Sequence, residues 1–223
     1  MHHIQQKILL GLLYAENLGY AQMRPKGVES NHFSYHLEQL VKNGLVIKRD
    51  KQYSLAPEGM QLVDRMSQKK MVDRLQPHIV TAIDLTNAAG ESLVYKRYFQ
   101  PYINRYGFPI GKIHYDESIE AAAARELEEK TGLKNIPLTH RGMVYLESKI
   151  DGVTISKVLY HLFDGTTEQQ PIITEPHRGE AVWAKHSELA AKELMPGYMA
   201  MKKLLAGPKD QLFFAEVSEE MLR

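Results

Sequence analysis

Residues 111–133 read GKIHYDESIEAAAARELEEKTGL, and this stretch decides the fold of the larger part of the chain. Between Ser118 and Thr131 it is dominated by Ala, Glu, Leu, Lys and Arg and contains neither Gly nor Pro. This composition favours a helix, and Gly132 directly after it predicts the C-terminal cap. Gly111 ends the loop before the helix, at a point where backbone without a Cβ can approach a phosphate.

The two faces of this helix differ in chemistry. Glu126 and Glu129 are three residues apart and share one face, where two carboxylates can hold a hard cation such as Mg2+. Lys130 falls on the same face. The opposite face is apolar at four-residue steps, which predicts packing against a sheet, through Ile119, Ala123 and Leu127.

The order of residues in this stretch resembles the Nudix box, whose pattern is Gly, five residues, Glu, seven residues, Arg-Glu-apolar, one residue, Glu-Glu, one residue and Gly-apolar. Two positions depart from it: Lys130 stands where the family places its last glutamate, and Ile110 stands where many members have a second glycine. The alternative is an alanine-rich solvated helix with ordinary charge pairs, but fixed spacings are hard to obtain from composition alone. The matching positions are Gly111, Glu117, Arg125, Glu126, Glu129 and Gly132.

The resemblance implies a binding site for a diphosphate that joins a nucleoside to another group, with hydrolysis aided by Mg2+ or Mn2+. By position, it makes Glu126 and Glu129 the metal ligands. It makes Arg125 the side chain that orients a glutamate through a bidentate pair, and Glu117 a supporting carboxylate. Gly111 would shape the loop.

Phosphate groups could also contact basic side chains near the box. Lys112, Arg97 and Lys96 are candidates, although a basic residue on a strand is more often a solvated charge. Lys130 itself could replace one metal and bind phosphate directly, which would preserve ligand binding better than turnover. Exchanging a carboxylate for an ammonium changes the local charge by two units, so the cluster should hold fewer cations.

A general base outside the box has several candidates. They are Glu175, His177, Glu180, Tyr145 and His161. For each of them the alternative is a structural or surface role.

The whole chain has 223 residues, enough for two small domains. It contains no cysteine, which excludes disulfides, thiol nucleophiles and thiolate metal sites. No apolar run approaches the roughly 20 residues of a membrane helix, and the N-terminus lacks the layout of a signal peptide, so we expect a cytoplasmic protein without a membrane partner. Residues 1–75 hold 11 basic and 7 acidic residues, a net charge of +4, whereas the remainder holds 17 and 20, a net charge of −3.

The N-terminal third predicts three helices, a hairpin and a closing helix that continues to Gln76. Ser30 is predicted as the N-cap of the third helix. This order resembles a winged helix-turn-helix domain of bacterial transcription regulators, with its recognition helix and wing in HLEQLVKNGLVIKRDKQYSLAPEG. The predicted elements span residues 4–15, 20–24, 30–43, 45–48, 52–55 and 57–76. Gln76-Pro77 is the predicted boundary, which gives a winged helix domain with its linker helix at 1–76 and a Nudix domain at 77–223.

By that resemblance, the exposed side of the third helix enters the major groove of double-stranded DNA and the wing contacts phosphates. The helix residues are Asn31, His32, Ser34 and Tyr35, with His36 beside them; the wing residues are Lys48, Arg49 and Lys51, and further backbone contacts fall to Arg24 and Lys26. The alternative is a protein-docking or dimer module, since the helix has no Arg to bind guanine bidentately. The helix before residue 76 could bridge the domains or pair with its copy in a homodimer.

After His78 the hydrophobic period changes to two, which predicts strands. Strands 79–85 and 92–99 flank a turn at 87–90, strands 142–150 and 153–163 flank Asp151-Gly152, and a further strand covers 180–184. A helix is predicted over 187–205, interrupted near Pro196-Gly197, and residues 207–223 carry no prediction. With the box helix in the middle, the fold class is α+β, with a mixed sheet between helices in an α/β/α sandwich.

The two resemblances together favour two alternative functions. One is a transcription regulator whose degenerate Nudix domain senses a nucleotide metabolite such as an ADP-ribose-like molecule. The other is a Mg2+-dependent Nudix hydrolase whose front domain serves dimerisation or substrate selection.

Overall fold

The computed structural model describes residues 1–66, 76–172, 174 and 176–221. It divides into two compact units, Met1–Leu75 and Gln76–Arg223. Among the residues described, no helix has the length and apolar character needed to cross a membrane.

The first unit is a small region of helices and a three-stranded antiparallel sheet. Its elements are α1 (His3–Leu13), β1 (Leu18–Gly19), α2 (Tyr20–Met23), α3 (Ser30–Lys42), β2 (Val46–Arg49), β3 (Gln52–Leu55) and α4 (Pro57–Arg65). The strand order is β1-β3-β2, and β2 and β3 form the predicted hairpin. The predicted continuation of α4 to Gln76 falls mainly on residues 67–75, which lie outside the described part of the chain.

The core of this unit is formed by the apolar faces of α1 and α3. Buried side chains repeat at helical spacing on both helices, which is why these segments fold as amphipathic helices. They include Ile4, Ile8, Leu9 and Leu12 on α1 and Phe33, Leu37 and Leu40 on α3. Ser30 is the first residue of α3 rather than its N-cap, which is Glu29. The Ser30 hydroxyl lies 3.0 Å from the Tyr20 hydroxyl instead.

The second unit is built on one mixed sheet. Its elements are β4 (His78–Thr86), β5 (Ser92–Arg97), β6 (Tyr106–Gly107), β7 (Ile110–Lys112), α5 (Ile119–Thr131), β8 (Thr139–Ile150), β9 (Val153–Thr166), β10 (Gly179–Ala184), two 3-10 turns (His186–Glu188 and Ala191–Glu193), α6 (Tyr198–Leu205) and β11 (Phe213–Glu220). The strand order is β10-β5-β4-β9-β8-β11, with β6 beside β5 and β7 beside β4. The pairs β4–β9 and β8–β11 are parallel, and the other pairs are antiparallel.

Successive residues of the strands enter different cores, as side chains of a strand alternate between faces. Ile83 and Phe163 pack with Leu127 of α5. Their neighbours Ala82 and Leu162 belong to the core that holds Tyr198, Met201 and Leu205 of α6. The predicted mixed sheet is therefore confirmed. Helix α5 contributes to one of its two cores, and α6 contributes to the other.

Two parts of the sheet differ from the sequence prediction. The predicted hairpin of β4 and β5 pairs at Thr86 and Ser92, and β4 runs for most of its length beside β9 and β7. Residues 213–220, which carried no prediction, form an edge strand. In contrast, β8 and β9 form the predicted hairpin, with Asp151 and Gly152 at φ values of 50° and 76° in its turn.

The predicted helix over 187–205 is wrong in its first half. The backbone N–H of Met195 donates to the carbonyl of Tyr106 at 2.7 Å, which ties this segment to β6. Gly197 has a φ of 78°, so α6 begins only at Tyr198. A tertiary hydrogen bond therefore overrides the local preference for a helix.

Candidate functional site

The helix α5 is fixed at both ends by the residues that the sequence indicates. The Ser118 hydroxyl accepts a hydrogen bond from the backbone N–H of Ala121 at 3.1 Å, which caps the N-terminus. Gly132 adopts a φ of 71° and donates its N–H to the Glu128 carbonyl, which caps the C-terminus. The short loop between β7 and α5 therefore holds Glu117 at the start of the helix.

Arg125 joins this loop to the helix. Its Nε and Nη2 donate to the two carboxylate oxygens of Glu117 at 2.9 and 2.6 Å, in a bidentate pair. The Nη2 atom also donates to the carbonyl of Lys112 at 3.0 Å, and the N–H of His114 donates to Glu117 at 2.7 Å. The hydrogen bonds from Arg125 and then from His114 lower the pKa of Glu117 to about 2. The same pairing raises the pKa of Arg125.

Glu126 is buried and both of its oxygens accept from cations. Arg125 Nη1 donates to Oε1 at 2.9 Å, and Lys130 Nζ donates to Oε2 at 2.7 Å. The side chains of Glu126 and Lys130 are only 7% and 15% exposed. The ammonium of Lys130 therefore lies against the carboxylate that the box pattern assigns to a metal.

Gly111 is needed because of Glu126. A Cβ at position 111 would lie 1.6 Å from Glu126 Cδ and 1.9 Å from its Oε2. Gly111 pairs with Thr81 in the sheet, so the carboxylate rests on the backbone of β7. The space beside this glycine is filled by a side chain of the protein, and its predicted approach to a phosphate stays a prediction.

Glu129 is the most open carboxylate of the group, with a side chain that is 54% exposed. Within the described residues its carboxylate receives one hydrogen bond, from Arg125 Nη1 at 3.2 Å. Glu128 lies apart from the group and pairs with Lys134 at 2.7 Å. The group therefore contains three carboxylates and two cations, which leaves one net negative charge.

A divalent cation does not fit Glu126 in this arrangement. Both oxygens are taken, and an ammonium lies where a cation would bind. The predicted role of Glu126 and Glu129 as metal ligands therefore stays a prediction that requires Lys130 to move away.

The other predicted phosphate contacts have different surroundings. Arg97 donates to the carbonyl of Phe99 at 3.2 Å, and its guanidinium lies 3.7 Å from the centre of the Phe99 ring. Burial lowers the pKa of Arg97. Lys112 is exposed, and its carbonyl accepts from Arg125. Lys96 lies over the ring of Tyr106 at 5.3 Å. Contact of these three side chains with phosphate stays a prediction.

The candidates for a general base are dispersed. His161 is buried with Nδ1 3.3 Å from His140 Nε2, and burial lowers its pKa. Glu180 accepts a hydrogen bond that raises the pKa of Tyr98 to about 12. Tyr145 is half-buried and His177 is exposed. Glu175 lies outside the described residues.

The residues predicted to contact DNA are on α3 and on the β2–β3 hairpin. Six of these side chains are exposed: Asn31, His32, Tyr35, Lys48, Arg49 and Lys51. The seventh, Ser34, is half-buried, and its hydroxyl lies 2.6 Å from that of Tyr20. The expectation that His36 is exposed is wrong, because this side of α3 turns toward His2 at the start of α1. Burial and neighbouring histidines lower the pKa of His36.

Two features of the molecule escape sequence analysis. The first is a pair of backbone contacts: the carbonyl of Lys112 binds Arg125, and the N–H of His114 binds Glu117. Backbone groups are present at every position, so no residue type indicates such contacts. The second is the grouping of His2 with His32 and His36. The four-residue step from His32 to His36 was a signal for it, since such residues share a helix face.

The comparisons with known proteins concern the second unit. The family model described as NUDIX domain matches residues 76–206, more than half of the chain. A comparison with curated proteins gives no match.

Several solved structures have a similar fold. The MutT NUDIX hydrolase from Burkholderia pseudomallei is 23% identical with a TM-score of 0.52, over 59% of this chain and 100% of that one. The NUDIX domain of Shewanella oneidensis NrtR, solved with ADP ribose, is 15% identical with a TM-score of 0.52, over 66% and 95%. A MutT protein from Bacillus halodurans is 21% identical with a TM-score of 0.51, over 64% and 90%.

Proposed function

The chain belongs to the NUDIX domain family, and from this membership we propose that it is a DNA-binding transcription regulator whose Nudix domain binds an ADP-ribose-like nucleotide. The match over residues 76–206 confirms the predicted Nudix domain. The remaining parts of the proposal are the winged helix-turn-helix domain over residues 1–76, its contact with double-stranded DNA, and a homodimer.

The observation that carries the proposal is the ion pair between Lys130 and Glu126. A divalent cation about 4 Å from the Lys130 ammonium would be repelled by about 8 kcal/mol at an effective dielectric constant of about 20. With the pair in place, catalysis that depends on a metal at Glu126 is disfavoured. Ligand binding is not, because a diphosphate is attracted by the same ammonium.

The charge balance of the group supports ligand binding without a metal. Three carboxylates and two cations leave one net negative charge, which a neighbouring basic residue such as Lys112 can offset. With a glutamate at position 130, the group would carry a net charge of −3. A diphosphate could then approach the group only with divalent cations between them. Lys130 thus takes over part of the charge neutralisation that Nudix hydrolases generally obtain from Mg2+ or Mn2+.

The nature of the ligand is supported by similarity of fold. The NUDIX domain of NrtR was solved with ADP ribose, and its fold is similar to that of this chain. We therefore take ADP-ribose as the first probe.

The DNA-binding part is supported by the first unit. Three helices precede a hairpin on which Lys48, Arg49 and Lys51 are exposed, and contact with DNA phosphates requires exposed basic side chains. Residues 1–75 also carry a net charge of +4, whereas the rest of the chain carries −3. A net positive charge on the first unit, with a net negative charge on the rest of the chain, favours a polyanionic partner for the first unit.

Calorimetry of ADP-ribose binding, with EDTA and with Mg2+, tests the ligand part. We expect wild-type affinity to be the same in both buffers, with no release of product. In Lys130→Glu the affinity in EDTA should fall at least tenfold and recover with Mg2+, because the variant regains the acidic box. Lys134→Glu is the matched control: this lysine is 63% exposed and pairs with Glu128, away from the group. Equal behaviour of the two variants would contradict the proposal.

The second candidate is a Mg2+-dependent hydrolase, with the first unit used for dimerisation or substrate selection. It is favoured by the bidentate pair of Arg125 and Glu117 and by the exposed Glu129. Rapid Mg2+-dependent turnover of a nucleotide panel by the wild type would support this candidate against the sensor.

Binding to double-stranded DNA at low salt tests the regulator. We expect affinity to fall steeply with salt, with a logarithmic slope near −0.9 for each phosphate contacted. The triple variant Lys48→Ala, Arg49→Ala, Lys51→Ala should reduce that slope. Failure of the wild type to bind DNA at low salt would exclude the regulator, and sedimentation of the same samples tests the dimer.

A further inference from the structure

Three histidines meet in the first unit, outside the Nudix domain. His2 precedes α1 and caps it, with Nδ1 accepting the N–H of Ile4 at 3.3 Å. His32 and His36 lie one turn apart on α3, and their Nε2 atoms are 3.1 Å apart. One nitrogen of each of the three rings lies within 4.8 Å of the others. The cluster therefore joins the start of the chain to α3.

One of the spacings in this cluster matches that of a metal site, and the third ring lies within reach of the other two. Zn2+ binds imidazole nitrogens at about 2.0–2.1 Å in a tetrahedron, which places neighbouring ligand atoms about 3.3 Å apart. The separation of the His32 and His36 nitrogens, 3.1 Å, agrees with one edge of that tetrahedron. A cation between them would replace a contact in which one ring must donate to the other.

We propose that His2, His32 and His36 form a binding site for a transition metal such as Zn2+. The three ligands are nitrogens, which suit Zn2+, Cu2+ or Ni2+, whereas Mg2+ and Ca2+ prefer oxygen. Three protein ligands leave a fourth position for water or another ligand.

Each side chain is suited to its place in the site. His36 is 7% exposed, and its Nδ1 has no hydrogen-bond partner within the described part of the chain. His32 is exposed and gives the metal access from solvent.

His2 completes the site by a rotation of its ring. It is stacked on His36, with centroids 4.0 Å apart and planes 11° apart. A metal lies in the plane of the imidazole that binds it, so two stacked rings cannot both bind until one turns. Rotation of the His2 ring would release its hydrogen bond from the N–H of Ile4, while the buried side chains of α1 stay packed. Metal binding would then fix the start of α1 to α3 and stabilise this unit.

Titration of the full chain, without an added histidine tag, tests the site. Zn2+ is titrated by calorimetry and Co2+ by visible absorption, both in excess Mg2+ so that the Nudix carboxylates cannot account for the signal. We expect one equivalent of metal, the intense bands of tetrahedral Co2+, and a higher melting temperature of the first unit with Zn2+.

The variants His32→Asn and His2→Asn should each weaken Zn2+ binding at least tenfold. Both side chains lie outside the packed core, and circular dichroism verifies that the helices remain. His78→Asn is the control, because His78 is an exposed histidine of the second unit. Absence of the Co2+ bands, or Zn2+ affinity unchanged in His32→Asn, would overturn the proposal. Equal loss in His78→Asn would do the same.

Discussion

The substitution Gly111→Ala distinguishes between two roles for the glycine at this position. If its role is to let backbone approach a phosphate, the ligand-free protein should tolerate the added methyl group. If its role is to accommodate Glu126, the ligand-free protein should be destabilised. The structure favours the second explanation, because the carboxylate of Glu126 occupies the place of the missing Cβ.

The size of the effect follows from the geometry. An ordinary contact needs 3.4 Å, whereas the new Cβ would lie 1.6 Å from Glu126 Cδ, so the carboxylate must retreat by about 1.8 Å. Its hydrogen bonds to Arg125 and Lys130, at 2.9 and 2.7 Å, cannot survive such a shift. Each is worth about 1.5–3 kcal/mol, and water replaces part of the loss, so we expect a loss of about 3 kcal/mol. For a unit of this size the melting temperature would fall by about 6–12 °C.

The assay uses the single tryptophan of the chain. Trp183 lies on β10 and packs against the core beneath α5, so its fluorescence follows unfolding of the Nudix unit alone. Gly90→Ala is the control, because its Cβ would meet nothing within 4 Å and its cost comes from a φ of 75°. That cost is about 1 kcal/mol. If Gly111→Ala were as stable as wild type, or as Gly90→Ala, then accommodation of Glu126 would not be the role of Gly111.

Two further predictions use the same fluorescence. The pKa of Glu117 is lowered to about 2, so its contribution to stability is present above an unfolded value of 4.5 and lost as pH falls toward 2. Glu117→Gln should therefore make the unfolding free energy less dependent on pH between 4.5 and 2. The same substitution at the exposed Glu128 should leave that dependence unchanged. Parallel curves of unfolding free energy against pH for wild type and Glu117→Gln would contradict this prediction. Arg141 is buried, pairs with Asp164 and donates to the carbonyls of Gly207 and Pro208 at 3.1 and 3.0 Å. Arg141→Met should cost about 3–5 kcal/mol by leaving these acceptors unpaired, and a loss no larger than that of the exposed Lys203→Met would show that the pairing is dispensable.

Much of the fold was predictable because its signals are local. Ser118 and Gly132 bound the box helix through capping, which involves residues within one turn. Asp151 and Gly152 specify the β8–β9 hairpin through their left-handed backbone. The first half of the predicted helix at 187–205 failed because Met195 bonds to β6, which is distant in sequence.

By itself, the sequence determined that a carboxylate-bearing helix capped at Gly132 would pack on a sheet, since spacing along a helix fixes which side chains share a face. It also determined that an ammonium, at Lys130, would lie on the acidic face. The partner of that ammonium follows from packing between elements, because its contact with Glu126 depends on a carboxylate that lies against the backbone of Gly111. The meeting of His2 with α3 was decided in the same way, since long-range packing brings together residues that no local pattern connects.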